Sequence, residues 1–351
     1  MFNAGWWRCS DMATRLAGYR PGHSIRHARS LVRRVCAIAG QVTWIDDLRD
    51  DAIATGLVAA VEDHDTAAIF DWLMHQLSFQ GISDAVADGY IARHGNVTWA
   101  EIECSLATNP GCDKLHGYWG FTGCQYHKGA QTCAKPDQFG DCPLPRHPLR
   151  NGRLNQTAYS LFLFIRDIAG GDIVGWIDRQ LADQPSSSNL AAARAALVDP
   201  LRHVYGISDK VIAMALASLL MGAGGSRPGW FDVGASFIVV DTLVHNFLVR
   251  TGILERVAAG HPYGPACYRP GGCTDVLIGI ATAIDARRFN PDFPKIFPRF
   301  VQHAIWRYCS QSCFDVCNGN QIDDRSRCSN LWCRLYSRCD RLALHELAKS
   351  P

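Results

Sequence analysis

The sequence predicts an all-α fold with few or no strands. Three observations carry that expectation: apolar residues recur at helical spacing along most of the chain, capping residues and glycines punctuate those runs, and one run is apolar on every side. In 66–79, Ile69, Phe70, Trp72, Leu73 and Leu77 share one face. Gly81 ends that helix, and Ser83 caps a second that runs to about Arg93, before Gly95. Thr98 and Glu101 form a capping box opening a third. The stretch 104–149, rich in Cys, Gly, Pro and His, has no sustained period and reads as an insertion organised by something other than an apolar core. Helical character returns at 155–168, with Tyr159, Phe162, Leu163 and Ile165 as core candidates. The loop 185–189 leads into an alanine-rich helix, 190–198, after which Asp199-Pro200 starts a short helical turn. From Lys210 to Met221 the chain is apolar on all sides beyond the lysine, which predicts a buried helix. Gly222 to Gly229 reads as a flexible loop, and Phe237 to Val240 as a short strand or extended lead-in. Asp241 stands where a helix N-cap belongs, and the helix 242–251 stops at Gly252. Residues 260–273 read as an irregular Pro/Gly-rich loop before further helices and a cysteine-rich C-terminus.

Composition narrows the function class. A chain of 351 residues, 48% hydrophobic and 19% charged, suits one large domain or two modest ones, and excludes a small disulfide-stapled scaffold or a disordered tail. The net charge of +2 announces no general affinity for polyanions, though a local basic patch is compatible with it. No run of about 18 uncharged apolar residues is present, so no membrane-spanning helix is expected, and no secretory h-region is seen. An internal, reducing compartment is the default. Fifteen cysteines are many for such a compartment; five lie in 104–142 and six in 309–339, and clustered cysteines there more often bind metal than pair as disulfides.

The basic residues are skewed: arginine supplies 29 of 35. Lys210 is therefore an unusual choice at the mouth of an apolar helix. It follows a short turn, Gly206-Ile207-Ser208-Asp209, and two helices joined by such a turn can aim backbone N–H groups at a phosphate. A lysine with an apolar flank loses preference for its charged form, and the free amine is a nucleophile that forms Schiff bases, which arginine cannot do.

Four segments in order resemble the helix-hairpin-helix DNA glycosylases of the endonuclease III superfamily: Leu77-Ser-Phe-Gln80-Gly-Ile-Ser-Asp84; Val204-Tyr-Gly206-Ile-Ser208-Asp-Lys210; Val240-Asp241-Thr242 with Arg250 eight residues on; and a terminal cysteine cluster entered through Trp306-Arg307-Tyr308-Cys309. The likeness spans roughly 65–340, with the insertions left out. It implies two helical lobes with a DNA cleft. One lobe holds 78–239, with the hairpin at 200–221 and the insertion 104–149; the other combines 1–77 with 240–351. It implies a bifunctional glycosylase and lyase in which Lys210 attacks C1′ of a flipped nucleotide and Asp241 takes a proton and stabilises the cationic sugar. Gln80 would fill the gap left by the base, and Gly206, Ile207 and Ser208 would hold a phosphate through main-chain N–H groups. The partner implied is double-stranded DNA with a damaged or modified base, bound by a monomer with no membrane; the location is cytoplasmic, at the nucleoid, in a prokaryote and nuclear in a eukaryote. Two departures stand out. Ser208 replaces the second hairpin glycine, and Lys210 and Asp241 are 31 residues apart, more than the family's spacing. A monofunctional glycosylase, with Asp241 activating water, and a catalytically silent, metal-stabilised DNA-binding protein are the rival readings.

The cysteines Cys328, Cys333 and Cys339 resemble the last three ligands of the family's iron–sulfur loop, with Cys309, Cys313 or Cys317 as the first; the working set is Cys317, Cys328, Cys333 and Cys339. Four thiolates suit a [4Fe–4S] cluster or zinc, and the resemblance favours the cluster. Arg325, Arg327, Arg334, Arg338 and Arg341 surround them, so a metal-folded loop would present cations to DNA. In the insertion, Cys112, Cys124, Cys133 and Cys142 are candidates for a second metal centre, though their spacing matches no zinc template. Arg26, Arg29, Arg33 and Arg34 recur near helical spacing and read as a solvated face or a phosphate-contacting stripe.

Overall fold

The computed structural model describes residues 21–78, 84–107, 112–122, 124, 126–127, 132–133, 153–183, 189–225, 227 and 229–344. Gln80 and Cys142 lie outside these residues. Among the described residues the fold is helical apart from a two-residue antiparallel ladder, Tyr126–His127 with Thr132–Cys133. The chain forms two compact units: a continuous one, Thr43–Val239, and a split one, Met1–Val42 with Val240–Pro351. Helix α1 (Pro21–Ala39) belongs to the split unit. The continuous unit holds α2 (Trp44–Ala54), α3 (Leu57–Glu62), α4 (Thr66–Ser78), α5 (Asp84–His94), α6 (Trp99–Ala107), α7 (Tyr118–Phe121), α8 (Arg153–Asp167), α9 (Ile173–Ala182), α10 (Leu190–Leu201), α11 (Asp209–Gly222) and α12 (Trp230–Ser236). The split unit resumes with α13 (Thr242–Arg250), α14 (Ile253–Arg256), α15 (Cys273–Thr282) and α16 (Pro298–Cys309). No helix of the described residues is long and apolar enough to cross a membrane.

In the continuous unit, α11 is central because every residue on it from Val211 to Met221 except Ser218 is apolar. Val211, Ile212, Leu216, Leu219, Leu220 and Met221 are all buried. A Cβ on Gly234 would come 2.8 Å from Met221 Cγ, so glycine lets α12 approach α11 closely. On α4, Ile69, Phe70, Leu73 and Leu77 are buried and Trp72 is half-buried, as the periodicity predicts. The capping box opens α6: the Thr98 N–H donates to Glu101 Oε2 at 2.9 Å and the Glu101 N–H to Thr98 Oγ1 at 3.4 Å.

Four sequence expectations change here. The chain first passes between the units at 42/43 rather than 77/78, because Leu57, Val61, Ile69, Phe70 and Leu77 bury into the same core as α11. Residues 190–201 are one helix with Pro200 inside its last turn, not a helix and a separate turn. The stretch 104–149 is not wholly independent of the core, since Leu115, Tyr118, Phe121 and Tyr126 are buried in it. The loop after Gly222 is anchored rather than free. Arg227 pairs with Asp178, donates to the Val61 carbonyl at 3.1 Å, and lies over the Trp230 ring.

In the split unit α1 packs on α15 and α16, and α13 on α16. Leu31, Val32 and Val35 from α1 join Phe247, Leu248, Phe297, Phe300 and Ile305 in a fully buried core. His303 is caught in this packing beside Arg299 and Arg307. Burial first, and then those two charges, hold its pKa well below the ordinary histidine value. The unfolded chain takes up a proton there as the pH falls through about 6.5, while the folded chain does not. This contribution to stability is therefore complete above that pH and is lost progressively below it. Urea unfolding at pH values one unit above and one unit below 6.5 will show His303→Gln losing less stability on acidification than wild type, by up to about 1.4 kcal/mol.

Candidate functional site

Helix α13 organises most of the chemistry of the split unit. It begins at Asp241, whose Oδ1 accepts the Val244 N–H at 2.8 Å, so the aspartate caps the helix as its position in the sequence suggests. The residues before it, Phe237 to Val240, are buried and lie outside any helix or strand, with Phe237 extended. Arg299, on α16, carries an electrostatic influence from both Asp241 and Tyr268, and its own burial brings its pKa down to about 10. Helix α13 ends at Gly252, which has φ +75°; a Cβ there would strike Asp340 Oδ2 at 1.9 Å.

His245, one turn into α13, faces a second element. His245, His261, Cys267 and Cys273 place four donor atoms within 4.8 Å of one another, and this group can hold a metal ion. His245 Nδ1 is 3.3 Å from Cys273 Sγ and 3.6 Å from Cys267 Sγ; His261 Nε2 is 3.4 Å from Cys273 Sγ. All but His261 are buried. The Cys273 thiol donates to Cys267, and with the imidazoles of His245 and His261 this drives Cys267 strongly toward thiolate, while Cys273 is pushed up by the same bond and by burial. The sequence marks no metal site here: His245 reads as part of the helix 242–251 and the other three as part of the irregular loop 260–273. The group's ligands come from α13, a loop, the 3₁₀ turn Pro265–Tyr268 and the start of α15, so no short Cys-x-x-Cys spacing marks it. The available signal was the pair of five-residue gaps in His261-x5-Cys267-x5-Cys273.

The far end of α13 meets the cysteine-rich C-terminus. Cys317, Cys328, Cys333 and Cys339 line one recess together with Arg250, Tyr308 and Arg341. Cys309 is buried against Cys317, donating to it and lowering its pKa, whereas Cys313 is exposed and does not line the recess. Burial raises the Cys333 thiol, and pushes Cys339 up to about 12, so these thiols keep their protons unless a cation replaces them. The Arg341 N–H donates to Cys339 Sγ at 3.3 Å, and Tyr308 Oη is 3.2 Å from Cys333 Sγ, within hydrogen-bond reach. Arg250, the arginine of the Val-Asp-Thr segment, is 1% exposed; it pairs with Asp324, its Nη1 donates to the Leu342 carbonyl at 3.5 Å, and its own carbonyl accepts the Leu342 N–H at 2.9 Å. It ties the helix to both arms of the cysteine loop. Among the described residues, only the His245 group converges within 4.8 Å; the four thiols of the recess do not converge as a single ion requires.

Lys210 belongs to the continuous unit, in the first turn of α11, and is half-buried. The turn before it contains Gly206 with φ +79° and Ser208 with φ −96° and ψ 156°. Only Gly206 uses the left-handed region, so serine at 208 costs nothing in backbone strain. Ile207 is half-buried, and the Tyr205 N–H donates to Ser160 Oγ on α8 at 2.9 Å. A Cβ on Gly206 would lie 2.7 Å from Thr157 Oγ1. Gly206→Ala is expected to cost about 1–2 kcal/mol from backbone strain alone, measured by urea unfolding. Lys210 and Asp241 thus fall in different units.

In the insertion, Cys112 and Cys124 are half-buried against the apolar core, Cys133 lies on the short ladder, and Cys142 is outside the described residues. Cys112 and Cys124 belong to no metal-binding group among those residues. On α1, Arg26, Arg29, Arg33 and Arg34 are exposed, and Arg29 and Arg33 share a recess with Arg288 and Lys295. No family model, no curated protein and no solved structure matches this chain.

Proposed function

We propose that this chain is a DNA glycosylase with a lysine-borne lyase step, acting on duplex DNA that carries a damaged or modified base. The observation that carries the reading is the placement of its two reactive residues. Lys210 opens a helix directly after a turn containing a left-handed glycine, and Asp241 caps another helix whose last turn carries a buried arginine. These are the positions at which the resembling family keeps its nucleophile and its carboxylate.

The chemistry follows from the two groups. The Nζ lone pair of Lys210 bonds to C1′ while the glycosidic C1′–N pair leaves with the base, which takes a proton. Opening of the sugar gives an imine, and loss of a C2′ proton expels the 3′-phosphate. The resemblance gives Asp241 the role of the reaction's carboxylate base. Backbone N–H groups at Ile207 and Ser208 and the start of α11 would take a phosphate, fixing register without reading sequence.

Cys317, Cys328, Cys333 and Cys339 fit the [4Fe–4S] cluster that the resemblance implies. They are four thiols around one recess, with the Arg341 N–H aimed at the Cys339 sulfur and the Tyr308 hydroxyl within hydrogen-bond reach of the Cys333 sulfur. Bound there, the cluster would cross-link the loop. That loop exposes Leu331 and Trp332, flanked by exposed Arg325, Arg327, Arg334 and Arg338, a combination of stacking surface and cations that suits nucleic acid.

The test is base release from a panel of duplexes, each carrying one lesion or modified base, followed by alkali and alkali-free strand analysis. Release with alkali-independent nicking supports the proposal. Release without nicking points to a monofunctional enzyme, and binding without release to a silent DNA-binding protein; either outcome overturns the lyase assignment.

A further inference from the structure

We propose that His245, His261, Cys267 and Cys273 bind one zinc ion, and that this ion is a structural staple fixing the backbone around Asp241. The proposal is independent of the glycosylase reading.

Geometry supports the metal. Zinc at about 2.3 Å from sulfur and 2.0–2.1 Å from nitrogen, with tetrahedral angles, sets each nitrogen about 3.6 Å from each sulfur. Three of the four nitrogen–sulfur separations here are 3.3, 3.4 and 3.6 Å. Two thiolates and two imidazoles are a donor set that tetrahedral zinc takes, and four protein ligands close the site, as structural zinc sites are closed. The surroundings are those of a built site. His261 Nδ1 is 2.7 Å from the Ala259 carbonyl, which fixes the proton on Nδ1 and leaves the Nε2 lone pair turned to the sulfurs. A Cβ on Gly272 would lie 2.3 Å from the Ala266 carbonyl oxygen, so glycine there lets the chain fold back and bring Cys273 beside Cys267.

The position gives the role. Tyr268, next to Cys267, accepts the Val240 N–H on its hydroxyl at 2.7 Å and donates to the Val240 carbonyl at 3.1 Å. Val240 precedes Asp241, and His245 follows it by one helical turn. The 261–273 loop therefore grips the chain on both sides of Asp241, through a tyrosine before it and an imidazole after it. A bond to metal makes that grip permanent.

Elemental analysis of the full-length chain, after saturation with zinc and removal of free metal, is expected to give one zinc per chain. Cys267→Ser/Cys273→Ser is expected to lose it while its iron content stays that of wild type. Replacement of the zinc by cobalt(II) is expected to give the visible bands of a tetrahedral S2N2 site. His261→Cys, which keeps four ligands and so guards against a variant that merely fails to fold, will retain the metal and shift those bands toward an S3N site. Amide exchange over 240–246 will quicken at least about tenfold in the double variant. No bound zinc in the saturated wild-type chain, zinc retained by the double variant, or cobalt bands unmoved by His261→Cys would overturn the site. Unchanged exchange over 240–246 would overturn the staple.

Discussion

Lys210→Ala is expected to abolish the covalent adduct that borohydride traps on DNA containing an abasic site, a fall of at least about 10³-fold, as for loss of a nucleophile elsewhere. Fold effects will not explain the loss. Lys210 is half-buried in the first turn of α11, and lysine and alanine have similar helix propensities, so unfolding free energy is expected to stay within about 0.5 kcal/mol of wild type. Lys210→Arg separates chemistry from charge. It keeps a cation for phosphate but has no free amine near neutral pH, so DNA affinity will persist while the adduct disappears. Gel quantification of the trapped species and a fluorescence binding titration measure the two effects. A Lys210→Ala protein that still traps at the wild-type rate would place the nucleophile elsewhere.

The second large effect lies at the other end of the proposed machinery. Arg250→Met is expected to destabilise the split unit by about 3 kcal/mol, because it leaves Asp324 without its partner and removes the donor to the Leu342 carbonyl. Those contacts hold 324 and 342 on either side of the cysteine recess, so the variant is also expected to lose the iron of the proposed cluster. Arg250→Lys will recover only part, since a single ammonium cannot serve both acceptors as a guanidinium fork does. Urea unfolding with metal analysis before and after gel filtration reads both. Wild-type iron content in Arg250→Met would show that the arginine does not organise the loop.

The fold was legible where one physical signal dominated. Helix α11 is apolar all round and is buried, α4 shows its periodicity, and the Thr98–Glu101 box and the Asp241 cap are local hydrogen bonds that neighbouring residues dictate. What the sequence hid depends on distant partners. Arg227 reads as an ordinary loop residue until Asp178, from α9, meets it. Leu115, Tyr118 and Phe121 lie in a stretch without period, yet find the core one or two residues at a time. Helices α2 to α4 carry nothing local that says which unit they join, and the boundary moved for that reason.

The site divides in the same way. A helix-opening lysine after a glycine turn and a helix-capping aspartate can be read from a dozen residues each. Six cysteines within 309–339 advertise metal by density alone. The His245 group does neither, because its donors are contributed by a helix, a loop, a 3₁₀ turn and a second helix. Two histidines and two cysteines spread so thinly carry no recognisable spacing, and only the packing of the 261–273 loop against α13 brings them within reach of one ion.

The most direct test of the central claim is to reduce the wild-type chain with borohydride on an abasic-site duplex, digest it, and map the modified lysine by mass spectrometry. The account predicts a deoxyribose-derived mass on Lys210, and on none of the other five lysines. No adduct at all, or one carried by a different amine, would contradict it.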